Sequence, residues 1–131
     1  MRKLLMIGLL IICACNSARL INIDNGQLPT NLTGDPYKRE QVKAAILKAC
    51  SVRGWIPTVQ RDGSINAAIV VRGKHEAKVK ITYTQSTVNI IYLDSENLNY
   101  ENGTIHRNYN KWVANLYQTI TKELSANAQP Y

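Results

Sequence analysis

Glu76-Ala77-Lys78-Val79-Lys80-Ile81-Thr82-Tyr83 alternates without a break. In an extended chain, Ala77, Val79, Ile81 and Tyr83 fall on one side and Glu76, Lys78, Lys80 and Thr82 on the other, because successive side chains of a strand point to opposite faces. A strand that is apolar on one face only is the habit of antiparallel sheets. The neighbouring segments repeat the pattern. Upstream, Ile65, Ala67, Ile69 and Val71 alternate, and Gly73-Lys74 turns the chain between the two runs. Asp62-Gly63 is a strong hairpin signal. Before it, Trp55 to Gln60 makes a short strand whose Pro57 assigns it to an edge or a bulge. Downstream, past Thr84-Gln85-Ser86, Val88 to Leu93 forms a fourth strand with Val88, Ile90 and Tyr92 on one face.

Helical patterns flank these strands. Val42, Ala45, Ile46 and Ala49 recur at helical spacing between Pro36 and Arg53, with Lys38, Arg39, Lys43 and Lys48 left for water. Asp35-Pro36 suits an N-cap followed by proline in the first turn, and Gly54 supplies the stop. From Ile105 to Ser125, the residues Ile105, Tyr109, Trp112, Val113, Leu116, Ile120 and Leu124 form one broad apolar stripe. The expected fold is α+β: a helix, a four-stranded antiparallel meander and a C-terminal helix. One apolar face per strand needs one covering layer, so both helices should lie on one sheet face.

The N-terminus has a different character. Met1-Arg2-Lys3 precedes an apolar run from Leu4 to Ile12, as in a secretory signal peptide. The run is too short to cross a hydrocarbon core of ~30 Å as a helix. Ile12-Cys13-Ala14-Cys15 resembles the lipobox of bacterial lipoproteins, in which an aliphatic residue and two small ones precede the cysteine that becomes the new N-terminus. Cys13 is less usual there than Ala or Ser but of similar size. The resemblance implies cleavage before Cys15 and lipid on its sulfur, hence a membrane as partner; the alternative is ordinary cleavage after Ala14. Asn16, where aspartate would favour the inner membrane, implies an outer-membrane anchor facing the periplasm.

The chain then divides into a leader (1–14), a lipidated N-terminus and tether (15–36), a single domain (37–125) and a flexible tail (126–131). Residues 16–36 are rich in Asn, Gly, Pro, Thr and Asp, which reads as a tether able to reach roughly 70 Å when extended. Ile21-Asn22-Ile23 could shorten it by adding a short edge strand. The formal charge is +7. Arg2 and Lys3 account for two of these charges, leaving about +5 on some 117 residues, enough for one core. Cys13 leaves with the leader and Cys15 takes lipid, so Cys50 has no intrachain partner and reads as a buried, inert thiol.

Between the last strand and the last helix stand Asp94-Ser95-Glu96-Asn97-Leu98-Asn99-Tyr100, then Ile105-His106, Tyr109-Asn110 and Trp112. This resembles a family of small bacterial lipoproteins carrying D-S-x-N-L-x-Y and then I-H-x-x-Y-N-x-W, with Arg53-Gly54-Trp55 as a second, weaker block. The resemblance implies a small α+β periplasmic domain and no known reaction. Read as residues, Leu98 and Tyr100 can plug apolar surface, while Asp94, Ser95 and Asn97 satisfy backbone groups. His106 and Asn110, one turn apart, could face the loop. Asp94, Ser95, Asn97, Tyr100, His106 and Asn110 are therefore expected to form a structural staple or the rim of a binding site. Trp112 falls on the apolar stripe and reads as core.

Asp94, Ser95 and His106 also supply the parts of a hydrolytic triad, but no G-x-S-x-G elbow accompanies them and they cluster near one loop. Catalysis is the remote reading, and the protein is expected not to be an enzyme. His75 and His106 lack zinc-site spacing, so neither metal nor cofactor is expected. Arg72, Lys74, Lys78 and Lys80 make a candidate basic surface around a hairpin. Nucleic acid is a poor partner for it, since aromatics would be interleaved there. Lipopolysaccharide or a cell-wall polymer is the alternative ligand. The favoured expectation is a monomeric, non-enzymatic envelope lipoprotein that binds a protein partner or supports assembly.

Overall fold

The computed structural model describes residues 16–126. Residues 1–15 and 127–131, on which the expected leader, the expected lipidated cysteine and most of the expected tail fall, lie outside the described residues. In chain order the elements are β1 (Ser17–Arg19), β2 (Ile23–Gln27), α1 (Arg39–Arg53), β3 (Trp55–Val59), β4 (Ile65–Val71), β5 (His75–Tyr83), β6 (Thr87–Glu96), β7 (Thr104–His106) and α2 (Arg107–Ala126). No described helix is long and apolar enough to cross a membrane.

The fold is α+β, and the meander is present as β3-β4-β5-β6 with every pair antiparallel. The sheet is wider than four strands, however. β2 adds to the far side of β6, giving the order β2-β6-β5-β4-β3, and β1 pairs with β7 in a separate two-stranded ribbon. Segment 16–36 is thus corrected from a tether to an integral part of the fold, with Leu28 only 8% exposed. Its strands were hard to see because Asp24, Asn25 and Gly26 disfavour extended structure. A bulge absorbs them: Ile23 faces Ile90 and Gly26 faces Val88, with Asn25 at φ 51° and its amide bonded to Asn89 Oδ1 at 2.7 Å. Gly26 has no room for a side chain there, since a Cβ would stand 2.7 Å from Ile23 Cγ2.

The helix boundaries also move. α1 begins at Arg39, with the Gln41 side chain accepting the Lys38 amide, and not at Pro36. Asp35 is drawn instead into a closed turn with Asn31, whose Oδ1 accepts the Asp35 amide. The start of α2 shifts from Ile105 to Arg107, because Thr104–His106 is engaged by β1. β6 runs on through Asp94, Ser95 and Glu96, three residues beyond the expected end. Tyr92 faces Val79 and Asp94 faces Lys78, so Leu93 is the extra residue of a bulge. Leu93 and Asp94 are both exposed, and that breaks the alternation on which the strand was recognised.

Val42, Ile46 and Cys50 of α1 and Val113, Leu116 and Ile120 of α2 share one core with Ile65, Ala77, Val79, Ile81, Val88 and Ile90. Both helices therefore cover the same sheet face. The other face carries Asn66, Lys78 and Asn89 and leaves Ile56 and Val70 exposed. Edge strand β3 shows Ile56, Pro57 and Val59 to solvent or partly so.

Cys50 is fully buried, and desolvation pushes its thiol up to about 12. A thiol reagent at mildly alkaline pH should leave the folded protein unmodified and label Cys50 only once it is denatured. Fast labelling of the folded protein would contradict this burial. A raised thiol pKa keeps its stabilising effect below the unfolded value near 8.5, and that effect is lost as pH climbs toward 12.

Candidate functional site

The residues singled out between Asp94 and Asn110 are held by contacts on three sides. Asp94 Oδ1 accepts the Ser95 amide at 2.8 Å, and Ser95 Oγ lies 2.8 Å from the Tyr92 hydroxyl. Ser95 opposes Ala77 in the β5–β6 ladder, so it shares the inward parity of that strand. Asn97, at φ 57°, donates from Nδ2 to the Lys74 carbonyl at 2.7 Å, and its own carbonyl accepts from His75 Nδ1 at 2.8 Å. The loop is thereby stitched to the β4–β5 hairpin. Leu98 is buried, and Tyr100 stacks on Tyr92 with ring centroids 4.5 Å apart.

His106 donates its backbone N–H to Leu98, while its Nδ1 accepts the Asn108 amide at 3.2 Å, capping the first turn of α2. Asn110 does not face the loop. Its Oδ1 accepts the Ile21 amide at 3.1 Å and its Nδ2 donates to the Arg19 carbonyl at 2.9 Å, clamping the segment just past β1. Asp94, Ser95 and His106 are joined to one another by no side-chain hydrogen bond of triad type among the described residues; each is committed to a local backbone or to Tyr92.

The basic set is divided as well. Lys78 and Lys80 lie on the uncovered face, where they reach Glu76 and Asp62 at 3.6 and 3.9 Å. There a shallow depression of about 570 Å³ is lined by Asp62, Asn66, Lys80 and Leu93 among others. Asp62 is already engaged, its carboxyl held below the usual range by the Ser64 hydroxyl and amide. Arg72 sits elsewhere. It occupies the turn between β4 and β5 at φ 57°, a left-handed conformation that an arginine rarely adopts. It helps line a cleft of about 280 Å³ with Val71, His75, Leu98, His106, Asn108 and Trp112.

This cleft is smaller than the depression on the uncovered face but more enclosed. A carbonyl can only accept, so His75 Nδ1 carries the proton that Asn97 receives, leaving Nε2 free. His106 Nδ1 must be bare to accept from Asn108, so its ring proton resides on Nε2. The residues lining the cleft thus include an arginine, two histidines, Asn108 and Trp112, and no carboxylate. Among the described residues no three His, Cys, Asp or Glu side chains gather as metal ligands. Beyond Trp112 a second cavity of about 130 Å³ is lined by Arg53, Trp55, Ile69 and Asn115. Arg53 Nε is held by Thr119 Oγ1 at 2.8 Å.

His75, Leu98, Asn108 and Trp112 were not recognised as a site from the sequence, where Trp112 read as core; it is half-buried and packs against the core from one side. Two signals pointed here. His75 shares the inward parity of Ala77, Val79 and Ile81, and Asn108, Trp112 and Asn115 keep the i, i+4, i+7 spacing of one helix face. The chain matches no family model, no curated protein and no solved structure.

Proposed function

We propose that this protein is a lipid-anchored lipoprotein of the bacterial cell envelope, fixed through Cys15 in the outer membrane with its domain in the periplasm. The domain acts without catalysis, as a monomer, binding a protein partner or supporting assembly. The leader pattern and the Ile12–Cys15 resemblance support the anchor. The Ile12-Cys13-Ala14-Cys15 pattern is the observation that carries the reading, and the hold on the next residue bears on how close the domain would sit to the membrane. The Asn16 carbonyl accepts the Arg107 amide at 2.8 Å, and Arg107 Nη2 donates to Asn16 Oδ1 at 3.1 Å. A lipid on the preceding residue would hold the domain close against its membrane. The scattered commitments of Asp94, Ser95 and His106 favour binding over hydrolysis. Binding of an anionic envelope component is the second reading, favoured by Arg72 in a cleft without carboxylates.

The intact mass of the protein taken from membranes is expected to equal residues 15–131 plus a diacylglyceryl group and an N-acyl chain. Cys15→Ala should accumulate as an uncleaved precursor. A mature form beginning at Cys15 with a free thiol would refute the anchor. Several acyl chains give durable attachment where one is marginal, so the acylated form should stay with the membrane pellet.

A further inference from the structure

Resting on the lipid anchor at Cys15, we infer that the cleft of Arg72, His75 and His106 docks onto the anionic phospholipid headgroups of the leaflet that holds the lipid. Covalent geometry sets the distance. Ser17 is the register partner of His106, and Cα partners in an antiparallel ladder stand ~4.5–5.5 Å apart. Asn16 directly precedes Ser17, so its Cα lies within roughly 9 Å of that of His106, and the anchor would be attached one residue before it. From Asn16 to Ile21 the segment is held to the domain, because Asn16 is bonded to Arg107 and Asn110 clamps Arg19 and Ile21. An acyl-glyceryl group on Cys15 enters the bilayer at headgroup depth, so this end of the domain meets the headgroups first.

The chemistry there matches phosphate. The Arg72 guanidinium and His106 Nε2–H are hydrogen-bond donors suited to phosphate oxygens. Arg72 lines the cleft and holds a left-handed backbone conformation, φ 57°, that glycine would adopt with less strain. Tyr100, about half exposed and stacked on Tyr92, adds a ring with an apolar body and a polar tip, the type that suits a wet–dry boundary. Lys78 and Lys80 do not take part, being on the uncovered sheet face.

The test is amide exchange of the acylated protein in vesicles of phosphatidylcholine alone and of phosphatidylcholine with phosphatidylglycerol. Anionic lipid should slow exchange at residues 72–75 and 106–108 by roughly fivefold, the change one basic residue supports at an anionic surface. Arg72→Gly relieves the left-handed turn, so it should fold at least as well and yet lose that protection. Equal exchange in the two vesicles, protection confined to Lys78 and Lys80, or full protection in Arg72→Gly would each overturn the inference. So would equal protection by inorganic phosphate in detergent, which marks a site for the free ion. An unmodified Cys15 in the mass of the same preparation would instead overturn the anchor on which the inference rests.

Discussion

Tyr109→Phe should melt at or above the wild-type temperature, whereas Tyr109→Ala should lose roughly 3–5 kcal/mol, as expected for a large aromatic removed from a core. Tyr109 is fully buried and meets Tyr92 edge-on, with centroids 5.7 Å apart at 81°. Its hydroxyl has no hydrogen-bond partner among the described residues. The ring therefore stabilises while the oxygen opposes folding, by about 1–3 kcal/mol for an unsatisfied buried polar group. Phenylalanine keeps the first and removes the second. At ~4–8 °C per kcal/mol for a domain of this size, the two variants should be separated widely by calorimetry. Alkaline pH offers a second measurement. Burial, with the nearby Tyr92 phenol adding, raises the Tyr109 phenol above its ordinary value, so the folded state keeps the proton after the unfolded chain has lost it. The wild type should then lose stability as pH rises above about 10, and Tyr109→Phe should lose less. A phenylalanine variant melting well below wild type would show that the hydroxyl is a stabilising group after all.

Starting the chain at Tyr37 should unfold the domain, and starting it at Asn16 should not. The shorter chain lacks β1, β2 and buried Leu28, whose side chain alone is worth ~1.5–3 kcal/mol. It also loses the β2–β6 ladder, the bond of the Tyr117 hydroxyl to the Gln27 carbonyl and that of the Tyr92 amide to Asn22 Oδ1. Together these exceed about 5 kcal/mol, the lower bound of stability for a domain of this kind. Asn110→Ala is the point-mutation counterpart. It removes two hydrogen bonds to the segment, so about 2 kcal/mol should go, with faster amide exchange over residues 17–23. If the chain from Tyr37 melts cooperatively at the temperature of the longer one, the N-terminal segment is a tether after all.

Those two experiments fall on the parts of the molecule that sequence periodicity renders most and least clearly. β3 to β6 and both helices were legible because alternation and the 3.6-residue stripe each repeat over many residues. β1 was not, and β2 only in the suggestion of a short edge strand at Ile21-Asn22-Ile23, because Asp24, Asn25 and Gly26 look like loop and what holds the segment comes from residues 64 to 91 positions away. A polar side chain that bonds a distant backbone leaves no periodic trace. Asp94 and Ser95 read as loop because the extra residue at Leu93 reverses the parity of everything beyond it. The six residues expected to act together divide accordingly. Asn97 and His106 brace the walls of the cleft, Tyr100 packs on Tyr92, and Asn110 serves the N-terminal segment. The cleft itself draws on the hairpin turn, the loop and α2, and only the fold brings these three together.

The proline in β3 has a consequence for life in a crowded compartment. A sheet that ends in an unpaired strand invites other molecules to extend it, and here the outermost strand also shows Ile56 and Val59. A ladder tolerates proline where its nitrogen points away from the bonded neighbour. Pro57 then leaves a gap in the row of donors, at the middle of a five-residue strand. A foreign strand arriving edge-on would find no continuous set of partners, and chains still folding beside one another would be less prone to join sheet to sheet.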